Sequence, residues 1–208
     1  MVRRSVAPLY RGFFGLLTLA AITTQLVAAS GTATFSPVNY FSYFTIDSNL
    51  IAAALLLFGA AVRKRSRMLD LLRGAAVVYM IVVGVVFTLL LSGTDVDTAI
   101  PWVNTVVHEL MPMVMVADWL LDPPAQRLSL RQGLLWLSFP LVWILYTLIR
   151  GAITGRYPYP FLNPENGGFA SVAAYCVAIL VLLAVVCAVV VWLGSVRGHS
   201  RVLPSHAS

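Results

Sequence analysis

Long apolar runs alternate with short polar connections along the whole chain. The runs lie at residues 12–30, 44–62, 74–93, 102–121, 133–149 and 169–194. Each is close to the roughly 20 residues that a helix needs to cross the hydrocarbon core of a bilayer. A transmembrane β-barrel would show segments of about ten residues with alternating polarity, whereas these runs are continuous stretches of Leu, Val, Ala and Ile. The pattern predicts an all-α, polytopic membrane protein with six transmembrane helices in one bundle.

Composition agrees with this class. Charged residues make up 11% of the 208 residues, whereas a soluble domain carries roughly 25%. No shift in composition marks a second domain, so we predict one six-helix domain over residues 1–198 and a disordered polar tail over residues 199–208. The first run and the LVAAS segment at residues 26–30 also resemble a signal peptide, but the run is long for one, and we expect it to remain as the first span.

The positive charges are distributed unevenly across this predicted bundle. All of the 14 Lys and Arg residues except Arg150 and Arg156 fall on the side that holds both termini. Cytoplasmic loops retain Lys and Arg, so both termini are predicted to be cytoplasmic, in a protein of the cell membrane. We interpret the net charge of +6 as a topology signal, and predict contact with membrane lipids and none with nucleic acid.

Polar residues within the spans collect near the outer side. Thr45 and Asn49 lie at the start of the second span, and Asn104 and His108 lie in the outer half of the fourth. An ionisable side chain near the bilayer centre costs about 2.5 to 3.5 kcal/mol and by default indicates function. His108, roughly 10 Å along its helix, is the strongest case.

A threonine and a histidine that meet in this region would suit acyl transfer. A neutral imidazole is the side chain best matched to remove a hydroxyl proton near neutral pH, and nearby amides could stabilise the oxyanion. Each residue also has a structural interpretation, because threonines and amides in membrane helices commonly bond to carbonyl groups or to a neighbouring helix. No GxSxG motif is present, which excludes an α/β-hydrolase, and no metal-spaced Cys/His cluster is evident, so neither a metal nor a cofactor is predicted.

Three segments carry a resemblance to a known family. YFTIDSNL at residues 43–50 opens the second span, NTVVHELMPMVMVADWLL at residues 104–121 forms the fourth, and RYPYPFLN at residues 156–163 follows the fifth. In this order and spacing, and over nearly the whole chain, they resemble the androgen-induced gene one and androgen-dependent tissue-factor-pathway-inhibitor-regulating proteins. The chain is similar to a bacterial relative of that family.

The resemblance implies an integral-membrane hydrolase that cleaves fatty acid esters of hydroxy fatty acids with a threonine nucleophile and a histidine. The family threonine matches Thr45, and the family histidine matches His108, which follows Asn104 by four residues. The aromatic–proline pattern matches Tyr159 and Phe161 on either side of a proline. The TIDSN amides and Asp118 depart from the family pattern, so the substrate can differ.

These observations predict a lipid-ester hydrolase in which Thr45 is the nucleophile and His108 is the base that bonds to its hydroxyl. The predicted supporting or oxyanion-stabilising residues are Asn49, Asn104, Tyr159 and Phe161. We expect the loop that carries the last two to form a lid or wall of an acyl pocket. The alternative is a non-enzymatic scaffold or transporter whose polar residues are structural, although the chain lacks the paired interrupted spans typical of a transporter.

Overall fold

The computed structural model describes residues 2–62, 66–93 and 100–199, with side chains from residue 7 to residue 196. Within these ranges the α-helices are α1 (Val2–Ser30), α2 (Pro37–Tyr40), α3 (Phe44–Ala61), α4 (Arg67–Val86), α5 (Pro101–Thr105), α6 (Met111–Leu121), α7 (Leu130–Leu134), α8 (Ser138–Thr154) and α9 (Gly168–His199). Two π-helical turns, Phe87–Leu91 and Val106–Leu110, and three 3-10 turns, Leu135–Leu137, Pro160–Leu162 and Pro164–Asn166, complete the helical elements described. The all-α class is confirmed.

Among the described residues, five helical stretches are long and apolar enough to cross a membrane. They are Ala7–Ser30, Phe44–Ala61, Arg67–Leu91, Leu130–Thr154 and Gly168–Val196. They overlap five of the six predicted spans, and they are consistent with a helical membrane protein.

The fourth predicted span, residues 102–121, is also helical but differs from these five. It consists of α5, the Val106–Leu110 π-helical turn and α6 in direct succession. Polar residues at Asn104, His108, Glu109 and Asp118 lower its hydropathy, and it does not count among the five apolar helices. A count of six spans stays a prediction.

Helix α4 occupies the centre of the bundle. It packs against α3, α6 and α9, while α1 packs along α3. Ala76, Val78 and Met80 of α4 are fully buried, and so are Ala21 of α1 and Ala52 of α3. Small side chains at a helix interface allow backbones to approach closely, which is the usual way that membrane helices pack.

One end of the bundle holds a buried ion-pair cluster. Its members are Arg11, Asp70, Arg73, Asp118 and Asp122. Arg11 Nε donates to Asp118 Oδ1 at 2.6 Å, and Arg73 Nη2 donates to Asp118 Oδ2 at 2.6 Å. Asp118 therefore joins α1 and α4 to α6, and it holds α1 as a packed part of the bundle.

Some of the predictions fall outside the described residues. The basic residues Arg63, Lys64 and Arg65, which contribute to the predicted orientation, lie there, as do residues 200–208 of the predicted tail. His199, where that tail was predicted to begin, instead ends α9.

Candidate functional site

Thr45 lies in the first turn of α3, where backbone N–H groups have no acceptor within the helix. Its N–H donates to the hydroxyl of Tyr159 at 3.3 Å, and its Oγ1 lies 3.2 Å from the same oxygen. The residue is only 6% exposed. A tyrosine from a distant loop thus supplies a hydrogen-bond acceptor to the first turn of α3. The same tyrosine lies within hydrogen-bonding distance of the Thr45 hydroxyl, the candidate nucleophile.

The loop that follows α8 brings Tyr159 into this position. Gly155 ends α8 in the left-handed conformation, with φ 68°, which glycine adopts without steric cost. The Tyr159 ring stacks on Phe161 with 5.3 Å between centroids and meets Tyr43 edge-on at 5.6 Å. Burial raises the pKa of Tyr159 to about 12, so its hydroxyl stays protonated and can donate a hydrogen bond. The loop covers Thr45, in the position expected of a lid or wall.

His108 lies in the π-helical turn Val106–Leu110, in which Pro112 leaves one backbone carbonyl without a helical hydrogen-bond donor. Met111 N–H donates to Val106 O, five residues back. The next donor in this register would be Pro112, which has no N–H, so Val107 O loses its helical partner. Asn49 Nδ2 takes that place at 3.0 Å.

Asn49 connects the two candidate catalytic segments. Besides Val107 O, its Nδ2 donates to Thr45 O at 2.8 Å, and the residue is fully buried. Both of its amide hydrogens are therefore committed to carbonyl groups. Of the two roles predicted for Asn49, oxyanion-stabilising or supporting, the geometry favours the supporting one, because an amide has only two donors and both hold α3 against the residue before His108.

The His108 ring contacts two side chains, Asn104 and Phe87. Its Nδ1 lies 2.8 Å from Asn104 Oδ1, and the ring stacks on Phe87 with 4.2 Å between centroids and 13° between planes. A carbonyl oxygen can only accept, so Nδ1 carries the proton and Nε2 presents its lone pair. This is the tautomer that a general base needs, and Asn104 supports the ring through its side-chain oxygen.

Thr45, His108 and Tyr159 line a common cavity of about 330 Å³, here called the polar cavity, together with Asn39 and Tyr40 among others. Within the described residues, however, no hydrogen bond joins Thr45 to His108. The predicted direct bond is wrong for this structure because Thr45 Oγ1 is paired with Tyr159, while Asn104 and Phe87 fix the imidazole on its own side. The two side chains line the same cavity but are not hydrogen-bonded to each other.

A second cavity, of about 210 Å³ and here called the apolar cavity, lies on the other side of Thr45. Its lining is hydrophobic apart from Thr45 and Tyr159, and includes Phe161 and Cys176. Cys176 and Cys187 are both free thiols. Because Thr45 and Tyr159 line both cavities, they form part of the boundary between an apolar space and a more polar one.

Sequence reasoning did not identify Phe87 as part of this site. Phe87 begins the π-helical turn Phe87–Leu91 at the end of α4, and in the sequence it is one apolar residue among many in its run. Nothing in a periodic apolar pattern separates a ring that stacks on histidine from one that faces lipid.

Comparison with protein-family models, with curated proteins and with solved structures finds no match to this chain. Within the described ranges, no group of three or more His, Cys, Asp or Glu side chains could hold a metal ion.

Proposed function

We propose that this protein is an integral-membrane hydrolase of lipid esters, with Thr45 as nucleophile and His108 as general base. The observation that carries the proposal is that both side chains line the polar cavity, with His108 in the base tautomer. Asn49 donates to the carbonyl of Thr45 and to the carbonyl of the residue before His108, and so holds the two segments together. A hydroxyl nucleophile needs a base, and the base needs an orienting partner; Asn104 supplies the latter.

The proposed reaction has two halves. The Thr45 oxygen bonds to the ester carbonyl carbon while its proton passes to His108 Nε2. The bond between that carbon and the alcohol oxygen breaks, the alcohol leaves with the proton from the imidazolium, and an acyl-threonine remains. Water then attacks the acyl carbon and gives a proton to His108; the acid departs, and the proton returns to Thr45.

Thr45 and His108 are not hydrogen-bonded to each other, so the proposed proton transfer has to cross the space between them. Catalytic hydrogen bonds are often long without substrate, and a proton can also pass through one water. A water takes up roughly 30 Å³, so the polar cavity of about 330 Å³ has room for a bridging water and for part of an ester. On substrate binding, the protonated Tyr159 hydroxyl is free to turn from Thr45 toward the carbonyl oxygen, where a donor would stabilise the oxyanion.

The membrane setting completes the proposal. We place six spans in the cell membrane with both termini in the cytoplasm, on the strength of the asymmetry in Lys and Arg. The Thr45 end then lies in the outer leaflet, within reach of esters whose tails stay in lipid. Fatty acid esters of hydroxy fatty acids, or similar acyl esters, are the proposed substrates.

The test is hydrolysis of such an ester by the purified protein in lipid nanodiscs. Thr45→Val keeps the side-chain shape and removes the hydroxyl, so turnover should fall by more than about a thousandfold. Thr45→Ser should retain part of the activity, because the hydroxyl stays and only the β-methyl restraint is lost. His108→Gln should be nearly as inactive as Thr45→Val.

Thr18→Val is the matched control. Thr18 is fully buried, and its hydroxyl bonds to Phe14 O within α1, so this variant makes the same chemical change away from both cavities and should hydrolyse like the wild type. Wild-type turnover by a folded Thr45→Val protein would refute the mechanism. It would favour the alternative, a non-enzymatic scaffold or transporter in which these polar groups only join helices.

A further inference from the structure

The apolar cavity lies among three of the apolar helices. Its walls include Val82 and Val86 of α4, Pro140 and Ile144 of α8, and Ile179 and Leu183 of α9. These walls offer water no hydrogen-bonding partners. Its chemistry suits a hydrocarbon chain.

The exposure of other lining residues shows where this cavity opens. Leu141 of α8 and Val177 and Leu180 of α9 line it and are 46%, 61% and 39% exposed. Helices α8 and α9 make almost no close backbone contact with each other. The cavity therefore reaches the surface of the bundle between these two helices.

The opposite side of the cavity is polar. There Thr45 Oγ1 and Tyr159 Oη lie 3.2 Å apart, and both residues also face the polar cavity. A ligand that fits has a long apolar part and a hydrogen-bonding group at its end. A pure hydrocarbon lacks that group, and in a bilayer it gains little by leaving lipid tails for equally apolar walls.

We propose that the apolar cavity is the binding site for a single acyl chain, which enters from the lipid between α8 and α9 with its carbonyl group at Thr45 and Tyr159. The identity of the chain as the acyl arm of an ester rests on the proposed function; the binding of the chain does not. The site would hold a ligand whether or not Thr45 attacks it.

The native thiols provide the test. Cys176 lines the apolar cavity, whereas Cys187 is fully buried in the core. In lipid nanodiscs, the alkylation of Cys176 by N-phenylmaleimide is followed by mass spectrometry on the Cys187→Ala protein, and on the native protein in case that substitution disturbs the core. The ligand is hexadecyl methyl ketone, which resembles a long-chain ester but cannot be hydrolysed.

The ketone is expected to slow alkylation of Cys176 by about tenfold when its concentration is about ten times its Kd, because only unoccupied sites react. Hexadecane and acetone, which each supply one half of the ligand, should have little effect. A cysteine introduced by Val181→Cys, with both native cysteines replaced by alanine, is the matched control. Val181 lies on α9, is 58% exposed and does not line the cavity, so its alkylation should not change.

Equal slowing at both positions, or none at Cys176, would overturn the proposal. Equal protection by hexadecane and by the ketone would refute the placement of the carbonyl group. The His108→Gln protein separates this inference from the proposed function, because His108 does not line the apolar cavity and the variant should lose hydrolysis and keep protection of Cys176. If the wild type hydrolyses no ester but the ketone still protects Cys176, the enzyme proposal fails and the acyl site stands. If the wild type hydrolyses esters but the ketone does not protect Cys176, the acyl site is wrong and the enzyme proposal stands.

Discussion

The two ends of this bundle both bury polar side chains, but they use them differently. At the Asp118 end, both carboxylate oxygens of Asp118 accept from arginines, and Arg73 also donates to the carbonyls of Asp118 and Asp122. At the Thr45 end, the described residues that line the two adjoining cavities include no Asp, Glu, Lys or Arg, and His108 presents the lone pair of Nε2.

None of the ion-pair cluster lines either cavity. His108 and Asp118 are separated by ten residues of one helical segment, about 15 Å at 1.5 Å per residue. The contrast teaches that a polar residue in an apolar bundle does not indicate a reactive site by itself. Unused hydrogen-bonding capacity beside a cavity is the more informative feature.

The largest effect on stability is expected from Asp118→Ala. It leaves Arg11 and Arg73 without their shared partner, and removing one member of a buried ion pair typically costs about 3 to 5 kcal/mol. Chemical unfolding of the detergent-solubilised protein measures it. Glu109→Ala removes an exposed carboxylate from the same helical segment and should change stability by less than about 0.5 kcal/mol; equal losses in both variants would show that the cluster is not a structural clamp.

A smaller loss is expected from Asn49→Ala. It leaves Val107 O buried without its donor, at a cost of about 1 to 3 kcal/mol, and it releases α3 from the segment that holds His108. Ester turnover should therefore fall more than stability alone explains, when both are measured on the same preparation. Ser48→Ala, next to it, removes a buried hydroxyl that has no hydrogen-bond partner among the described residues and should be close to neutral. If Asn49→Ala retained full turnover, the bridging role of Asn49 would be disproved.

Phe87→Leu should have a milder effect on stability. Aromatic stacking is worth about 0.5 to 1.5 kcal/mol beyond buried area, and Leu keeps most of the apolar surface. The imidazole loses the ring that fixes its plane, so turnover should decline while the binding of hexadecyl methyl ketone, read from Cys176 alkylation, stays the same. Loss of ketone binding instead would mean that Phe87 shapes the cavities and not the base.

The smallest expected effect is a pH dependence from Tyr159. Burial raises its pKa from 10.0 to about 12, so the unfolded state loses its proton first. The stabilisation is complete below about pH 10 and is lost as the pH rises toward 12. Between about pH 9 and pH 10.5, Tyr159→Phe should lose less unfolding free energy than the wild type, by under about 1 kcal/mol. Identical pH profiles would contradict the buried, protonated hydroxyl.

Much of the fold could be predicted from the sequence, because apolar runs of membrane length report directly on helices that cross hydrocarbon. The rotation of a helix about its own axis is less accessible. The Val106–Leu110 π-helical turn changes the direction of His108 relative to a regular helix, and an apolar pattern does not reveal that turn. Pro112, four residues after His108, is a local signal that the Val107 carbonyl lacks a donor within its own helix.

Sequence reasoning predicts which residues belong to the candidate site, but not how those residues pair with one another. Thr45, His108, Asn104 and Tyr159 do come together, since each borders the shared cavity or bonds to a residue that does. Their pairing was not predictable, because Tyr159 arrives from a loop whose aromatic–proline pattern equally fits an interfacial aromatic belt. Partner choice depends on long-range packing that no local motif encodes.

The most direct test of the central claim is to map where a fluorophosphonate attaches to the folded protein in lipid nanodiscs. Mass spectrometry of the modified protein should place the phosphonyl group on Thr45 in the wild type, and His108→Gln, folded to the same extent, should leave Thr45 unmodified because the hydroxyl has lost its base. The buried Ser48 hydroxyl, three residues away, serves as an internal comparison and should stay unmodified. An adduct on Ser48, or no adduct on a folded wild-type protein, would contradict the account of Thr45 as an activated nucleophile.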